Sequence, residues 1–181
     1  MDDRERRGRV LLAIARESLA HPGQSLTSMA WSEDWLRAIA ASFVTLRDRG
    51  ELRGCIGTVD AHRPLGDDVA HNAYAAAYRD SRFEPVAAHE REHLDVEVSV
   101  LSARVPLPAA SEAALAGQLR AGVDGVVIEF QGRSATFLPQ VWDNLPDPVD
   151  FLAELRRKAG LPARFWHPEL RVSRYTVEKY R

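Results

Sequence analysis

Hydrophobic and polar positions along the chain change period several times, and each change marks an element. Residues 9–20 carry Val10, Leu11, Ile14, Ala15 and Leu19 at helical spacing, and His21-Pro22-Gly23 is expected to end that helix. Phe43–Arg47 and Leu52–Val59 read as strands of a hairpin turning at Asp48-Arg49-Gly50. An alanine-rich helix is predicted from about Leu65 to Arg79, with Leu65, Val69, Ala73 and Ala76 on one side. Leu94, Val96, Val98 and Val100 then alternate with Asp95, Glu97 and Ser99, the pattern of a half-buried strand. Beyond Pro106 and Pro108, Glu112–Arg120 is a candidate helix. Val126–Phe130 and Ala135–Leu138 form a second predicted hairpin turning at Gln131-Gly132. A helix from about Val149 to Ala159 starts after Asp147-Pro148 and stops at Gly160, and Arg171–Tyr180 reads as a final strand.

From residue 43 the order is hairpin, helix, strand, a connecting helix, then hairpin, helix, strand. The expectation is an α+β fold with a largely antiparallel mixed sheet, flanking helices and two similar halves. No linker rich in Gly, Ser or Pro divides the 181 residues, so one domain, with lobes sharing a core, is expected over residues 1–181.

Composition narrows the function classes. The chain is 45% hydrophobic and 28% charged, with a net charge of -2 from 24 basic and 26 acidic residues. No wide positive field follows, so no nucleic-acid partner is expected. The mixed-sign run Asp2-Asp3-Arg4-Glu5-Arg6-Arg7 reads as a solvated helix start. No apolar stretch approaches the roughly 20 residues that cross a bilayer, and Val10–Ala15, interrupted by Arg16 and Glu17, is too short for a signal-peptide core. A single cysteine, Cys55, fits a reducing cytoplasm.

The segment with the most chemistry is Leu52-Arg53-Gly54-Cys55-Ile56-Gly57-Thr58. Strand alternation puts Arg53, Cys55 and Gly57 on one side, and Leu52, Gly54 and Ile56 on the apolar side. A guanidinium near a sulfur favours thiolate over thiol. Gly54 and Gly57 leave room for another backbone or a ligand. Against this stands the ordinary behaviour of free cysteines, which are often inert, buried and small.

The same segment is similar to the signature of the AMMECR-domain family, whose prokaryotic members are called AmmeMemoRadiSam system protein A. The resemblance continues through Ala73-Tyr74-Ala75-Ala76-Ala77-Tyr78-Arg79-Asp80-Ser81-Arg82-Phe83-Glu84-Pro85 and Glu97-Val98-Ser99-Val100-Leu101-Ser102. It resumes at Gly122-Val123-Asp124-Gly125, Leu138-Pro139-Gln140-Val141, Phe151-Leu152 and Lys158-Ala159-Gly160-Leu161. Ser81 stands where the family usually has proline, and Asp124 where histidine is common. The resemblance implies two lobes with a cleft between them, and association by pathway with a Memo-like protein and a radical-SAM protein. It supplies no established activity.

If the signature turn lines a cleft, Asp80, Arg82, Glu97 and Gln140 become candidates to bind an unknown small molecule alongside Gly54 and Gly57. Asp80 and Arg82 can equally tie to each other. His71 shares a helix face with Tyr74 and Tyr78 and is a candidate base for Cys55. Lys158, in a last helical turn, complements the helix dipole. His89-Glu90-Arg91-Glu92-His93 matches the H-E-x-x-H zinc pattern, but Pro85 before it and the strand after it leave little helix, and no third ligand follows at the metzincin spacing, which leaves only a later Glu such as Glu112 or Glu129 to complete a site. No metal and no cofactor is therefore assigned. The leading expectation is a small-molecule enzyme or enzyme component: Arg53 lowers the thiol pKa and orients an anionic group, and Cys55 attacks an electrophilic carbon. The alternative is a non-catalytic binding or adaptor module using the same surface.

Overall fold

The structure is a computed structural model that describes residues 2–21 and 31–181. Pro22-Gly23 lie outside the described residues. The chain forms α1 (Asp3–Ala20), α2 (Asp34–Arg37), the hairpin β1 (Ile39–Asp48) and β2 (Glu51–Gly57), the short β3 (Arg63–Pro64), α3 (Leu65–Tyr78) and β4 (Asp95–Leu101). It continues with β5 (Val105–Pro106), α4 (Glu112–Ala116), the hairpin β6 (Gly125–Phe130) and β7 (Arg133–Phe137), α5 (Pro148–Lys158), β8 (Arg171–Tyr175) and β9 (Val177–Tyr180). Two compact units result: Met1–Leu101 with Glu178–Arg181, and Ser102–Val177.

The first unit holds a sheet ordered β2-β1-β4-β9, with β3 pairing β1. Its hairpin turns at Arg49 and Gly50, whose φ of 51° and 87° are the left-handed values a tight two-residue turn demands. Helix α1 begins well before residue 9 because Asp2 accepts from Arg4 N, and Asp3 and Glu5 sit in its positive first turn. Leu11, Ile14, Val44, Leu46, Val69, Ala73, Val96 and Val98 close one core between α1, α3 and one sheet face. Alanines at 73, 76 and 77 keep α3 thin on that side.

The second unit repeats the path. Its sheet runs β5-β8-β6-β7, all antiparallel, and β8 returns beside the first strand of the β6–β7 hairpin as β4 returns beside β1. Asp147 accepts from Val149 N and Asp150 N at the start of α5, and Gly160, at φ 74°, follows its end. Trp142 stacks on Phe151 with ring centres 3.8 Å apart, inside a core with Leu115, Ile128, Leu152 and Leu155.

Two expected elements are corrected. The helix expected over Glu112–Arg120 stops at Ala116, capped by Ser111 Oγ on Ala114 N, and turns replace the rest after Gly117. The single final strand is two: it breaks at Thr176, so Arg171–Tyr175 joins the second sheet while Val177–Tyr180 borders the first. Thr176 N donates to Ser102 Oγ and Ser102 N to Thr176 O, fixing the break. Among the described residues no helix is long and apolar enough to cross a membrane.

Candidate functional site

The register of the first hairpin decides what surrounds Cys55. Asp48 pairs with Glu51 and Arg47 with Leu52, but the next pairs are Leu46–Gly54 and Thr45–Cys55. Arg53 is thus an extra residue, a bulge that takes its side chain out of simple alternation. Its guanidinium grips Glu90 in bidentate fashion, Nε to Oε1 at 2.8 Å and Nη2 to Oε2 at 3.1 Å, and Nη1 donates to Glu84 O at 2.8 Å. That pairing raises the Arg53 pKa and, with Ala87 N donating to the same carboxylate, holds Glu90 down at about 2. The expected Arg53–Cys55 partnership is therefore replaced: Arg53 serves Glu90.

Arg82 is the cation at Cys55. Its Nη2 donates to Cys55 O at 3.0 Å, and the Cys55 side chain is among the groups that raise its pKa, after Asp80. Asp80 Oδ2 accepts from Cys55 N at 2.9 Å. The two side chains also bind each other, Arg82 Nε to Asp80 Oδ1 at 2.9 Å and Arg82 Nη2 to Asp80 Oδ2 at 2.6 Å. Asp80 is buried, and the guanidinium and two backbone N–H donors hold its carboxyl well below the usual range. The pair clamps the main chain of Cys55 at both its N–H and its C=O. Cys55 as a residue is partly exposed, and its Sγ lies 3.4 Å from Thr45 Oγ1.

Thr45 pairs on its other side with Glu97, so Cys55, Thr45 and Glu97 form a row across β2, β1 and β4. Alternation places this row on the sheet face opposite Val44, Leu46, Val96 and Val98, away from α1 and α3. Glu97 is held by Arg181 Nε and lies 3.7 Å from Lys179 Nζ, both on β9 or just past it.

The glycines of the signature make room for the chain itself. A Cβ on Gly54 would lie 2.1 Å from Ala76 O of α3, and one on Gly57 would lie 2.1 Å from the Phe43 ring. Of the two occupants expected beside them, Gly54 admits another backbone, that of α3, and Gly57 admits the Phe43 ring of its own sheet. His71 is exposed on α3, where partial burial and then Arg63 lower its pKa; the polar side-chain partner of the sulfur is Thr45. Gln140 is exposed in the 3-10 turn Pro139–Asp143 of the second unit. Asp124, buried in that unit, binds Arg120 through its backbone N and guanidinium and lies 3.6 Å from Arg174. Lys158 donates to Thr136 O at 2.9 Å, a specific contact beyond the helix dipole.

His89–His93 lies on a turn and the 3-10 helix Arg91–His93, with Glu90 committed to Arg53. Among the described residues no group of three or more His, Cys, Asp or Glu is placed to hold a metal.

A buried polar knot in the first unit has no counterpart in the sequence reading. Asp68 accepts from Ser42 N at 2.8 Å, Ser42 Oγ at 2.7 Å, Asn72 Nδ2 at 3.0 Å and Thr58 Oγ1 at 2.7 Å, with Arg63 Nε at 3.3 Å. Asp68 and Asn72 are i, i+4 on α3, the one signal available; nothing local shows that Ser42 and Thr58 converge there. The knot is fully partnered and locks the open end of the hairpin, where Ser42 and Thr58 meet, to α3.

These features define an α+β protein of two similar units, whose first sheet presents a clamped, partly exposed cysteine at its edge strand. The AMMECR1 family model matches residues 12–180. The chain belongs to the AMMECR1 family. It is 37% identical over 180 residues to a protein of Methanothermobacter thermautotrophicus, covering 94% of this chain and 92% of that one. It is 35% identical over 190 residues to a protein of Aeropyrum pernix, covering 100% and 80% respectively. The crystal structure of an uncharacterized protein from Pyrococcus horikoshii is similar with a TM-score of 0.82 at 30% identity, over 97% of this chain and 91% of that one.

Proposed function

We propose that this AMMECR1-family protein handles an anionic small molecule at the Cys55 end of its first sheet, as an enzyme or enzyme component of the cytoplasm. The observation that carries the reading is the contrast at one residue: the Cys55 main chain is fixed by Asp80 and Arg82, while the residue stays partly exposed and its sulfur sits beside a hydroxyl. A reactive group held in place and left accessible suits oriented chemistry. Arg82 orients the anionic group, since its Nη1 makes no hydrogen bond among the described residues. Thr45 Oγ1 fixes the direction of the sulfur, and Cys55 is the nucleophile. Memo-like and radical-SAM proteins are the proposed neighbours in the pathway, on the strength of the family resemblance alone.

A second reading makes the same face a docking surface for a protein, with Cys55 as packing. It draws on the rigidity of the clamped strand. Native purification followed by mass spectrometry separates the two. The enzyme reading expects a co-purifying small acid that is lost in Arg82→Ala and bound without turnover by Cys55→Ser. Stoichiometric recovery of a protein partner, unchanged in Cys55→Ser and with no small molecule retained, overturns it in favour of the adaptor.

A further inference from the structure

Helix α1 and strand β9 both belong to the first unit and border a hollow of about 380 Å³. They touch at Gly8, where a Cβ would fall 2.9 Å from Tyr180 Cδ1. Residues 4, 8 and 12 are one helical turn apart, so Arg4, Gly8 and Leu12 share the side of α1 that faces β9. Gly8, Leu12 and Tyr180 give the hollow an apolar lining. Around them stand Arg4, Arg9, Lys179 and Arg181, and Glu5 is the one acid among the described residues of the wall. A concave surface lined mostly by one sign of charge focuses potential on whatever enters it.

Three of these cations are held in place by ties within the fold, and one is not. Arg4 Nε donates to Glu178 at 3.0 Å and Nη2 to Lys179 O at 3.1 Å, while Nη1 makes no hydrogen bond among the described residues. Lys179 and Arg181 share one carboxylate, that of Glu97. Arg9 is exposed and has no ion pair or hydrogen bond among the described residues, although Glu5 stands one turn before it. The fold therefore accounts for Arg4, Lys179 and Arg181, and gives Arg9 no structural work.

We propose that this hollow binds the phosphate ester of a small organic molecule. Its volume falls within the roughly 300–1,000 Å³ of small-molecule sites. A phosphoryl group carries about 1.5–2 negative charges near pH 7 and three acceptor oxygens. One such group can take hydrogen bonds from Arg9, from Arg4 Nη1 and from the Arg181 guanidinium. A carboxylate brings a single charge and fewer oxygens, which leaves part of that donor set unmatched. The organic portion lies against Leu12 and the Tyr180 ring. No residue of the hollow belongs to the Cys55 clamp, so this inference goes beyond the reading of Cys55 as a nucleophile and does not need it.

The experiment titrates the full chain with phenyl phosphate, benzoate and phenol, read by calorimetry and by backbone amide shifts. Phenyl phosphate is expected to bind one-to-one and to move the amides of residues 4–12 and 179–181. Benzoate should bind at least about tenfold more weakly, the scale of one charge-assisted hydrogen bond, and phenol should not bind. Arg9→Ala removes no contact of the fold and should weaken phenyl phosphate at least about tenfold, with Arg9→Lys restoring part of the affinity. Cys55→Ser and Arg82→Ala should leave the binding within about twofold, as independent sites do. A chain that shows no saturable binding of phenyl phosphate overturns the proposal, and so does benzoate bound equally tightly. Binding that Arg9→Ala leaves unchanged also overturns it, and if Arg82→Ala abolishes that binding the anion belongs to the Cys55 end instead.

Discussion

Replacing Gly54 by alanine puts a methyl carbon 2.1 Å from the Ala76 carbonyl oxygen, 3.0 Å from its carbonyl carbon and 3.6 Å from its Cα. Ordinary contact starts near 3.4 Å, and the obstacle is helix backbone, which has no rotamer to change. Strand β2 and helix α3 must therefore separate by about 1 Å, and a gap of that size forfeits roughly a quarter to a half of the dispersion attraction across it. The loss falls on the seam that holds Val44, Leu46, Val69 and Ala73 together. Overpacking of this kind costs about 1–3 kcal/mol, and an unyielding backbone places Gly54→Ala at the upper end. Reduced freedom of the unfolded chain returns up to about 1 kcal/mol, leaving about 2–3 kcal/mol. At about 2–4 °C per kcal/mol for a chain of this size, Tm falls by roughly 4–12 °C. Gly117→Ala is the control: its nearest atom is at 3.5 Å and its φ of -66° suits any residue, so its Tm stays within about 2 °C. Thermal unfolding followed by circular dichroism decides. A Gly54→Ala chain as stable as Gly117→Ala refutes the close approach of α3 to the signature strand.

Other outcomes follow from the ion pairs and the false zinc motif. Asp80 and Glu90 have depressed pKa values, Glu90 about 2 against an ordinary 4.5, so the folded state binds fewer protons than the unfolded state in acid. Their contribution is present above about pH 5 and is lost as pH falls towards 2, with Asp80 failing last. Urea midpoints should drop through that window, and Glu90→Gln should flatten the drop by about 1 kcal/mol after solvent screening; an unaltered profile contradicts the Arg53–Glu90 pair. Arg53→Ala should loosen residues 84–93, read as faster limited proteolysis there with the second unit unaffected. Protein purified and then exposed to zinc should retain it only substoichiometrically. Stoichiometric retention that His89→Ala abolishes contradicts the assignment of Glu90 to Arg53.

Much of the fold was legible because its signals are local. Asp147-Pro148 and Gly160 bracket α5, Arg49-Gly50 and Gln131-Gly132 adopt the positive φ that their hairpins need, and the alternation of residues 94–101 is β4 to within a residue. The break at Thr176 was not legible: buried Val172, Tyr175 and Tyr180 fall three and five apart, a spacing that marks neither one strand nor two. The site was legible in part. Cys55, Asp80, Arg82 and Glu97 were picked out by residue type and motif, but a two-residue turn at Arg49-Gly50 predicts Thr45 opposite Gly54. The bulge at Arg53 shifts the pairing by one, bringing Thr45 to Cys55 and sending the guanidinium to Glu90, 37 residues away. Periodicity carries no information about such partners. Nor does it show that a glycine is there to admit α3 rather than a ligand.

Alkylation of Cys55 in the native chain reads at once whether the sulfur is accessible and which guanidinium addresses it. Iodoacetamide is expected to modify native Cys55 completely, with Arg82→Ala slowing the reaction several-fold and Arg53→Ala changing it little. A thiol that reacts only after unfolding, or one that slows with Arg53→Ala and ignores Arg82→Ala, contradicts the reading of Cys55 as an accessible nucleophile addressed by Arg82.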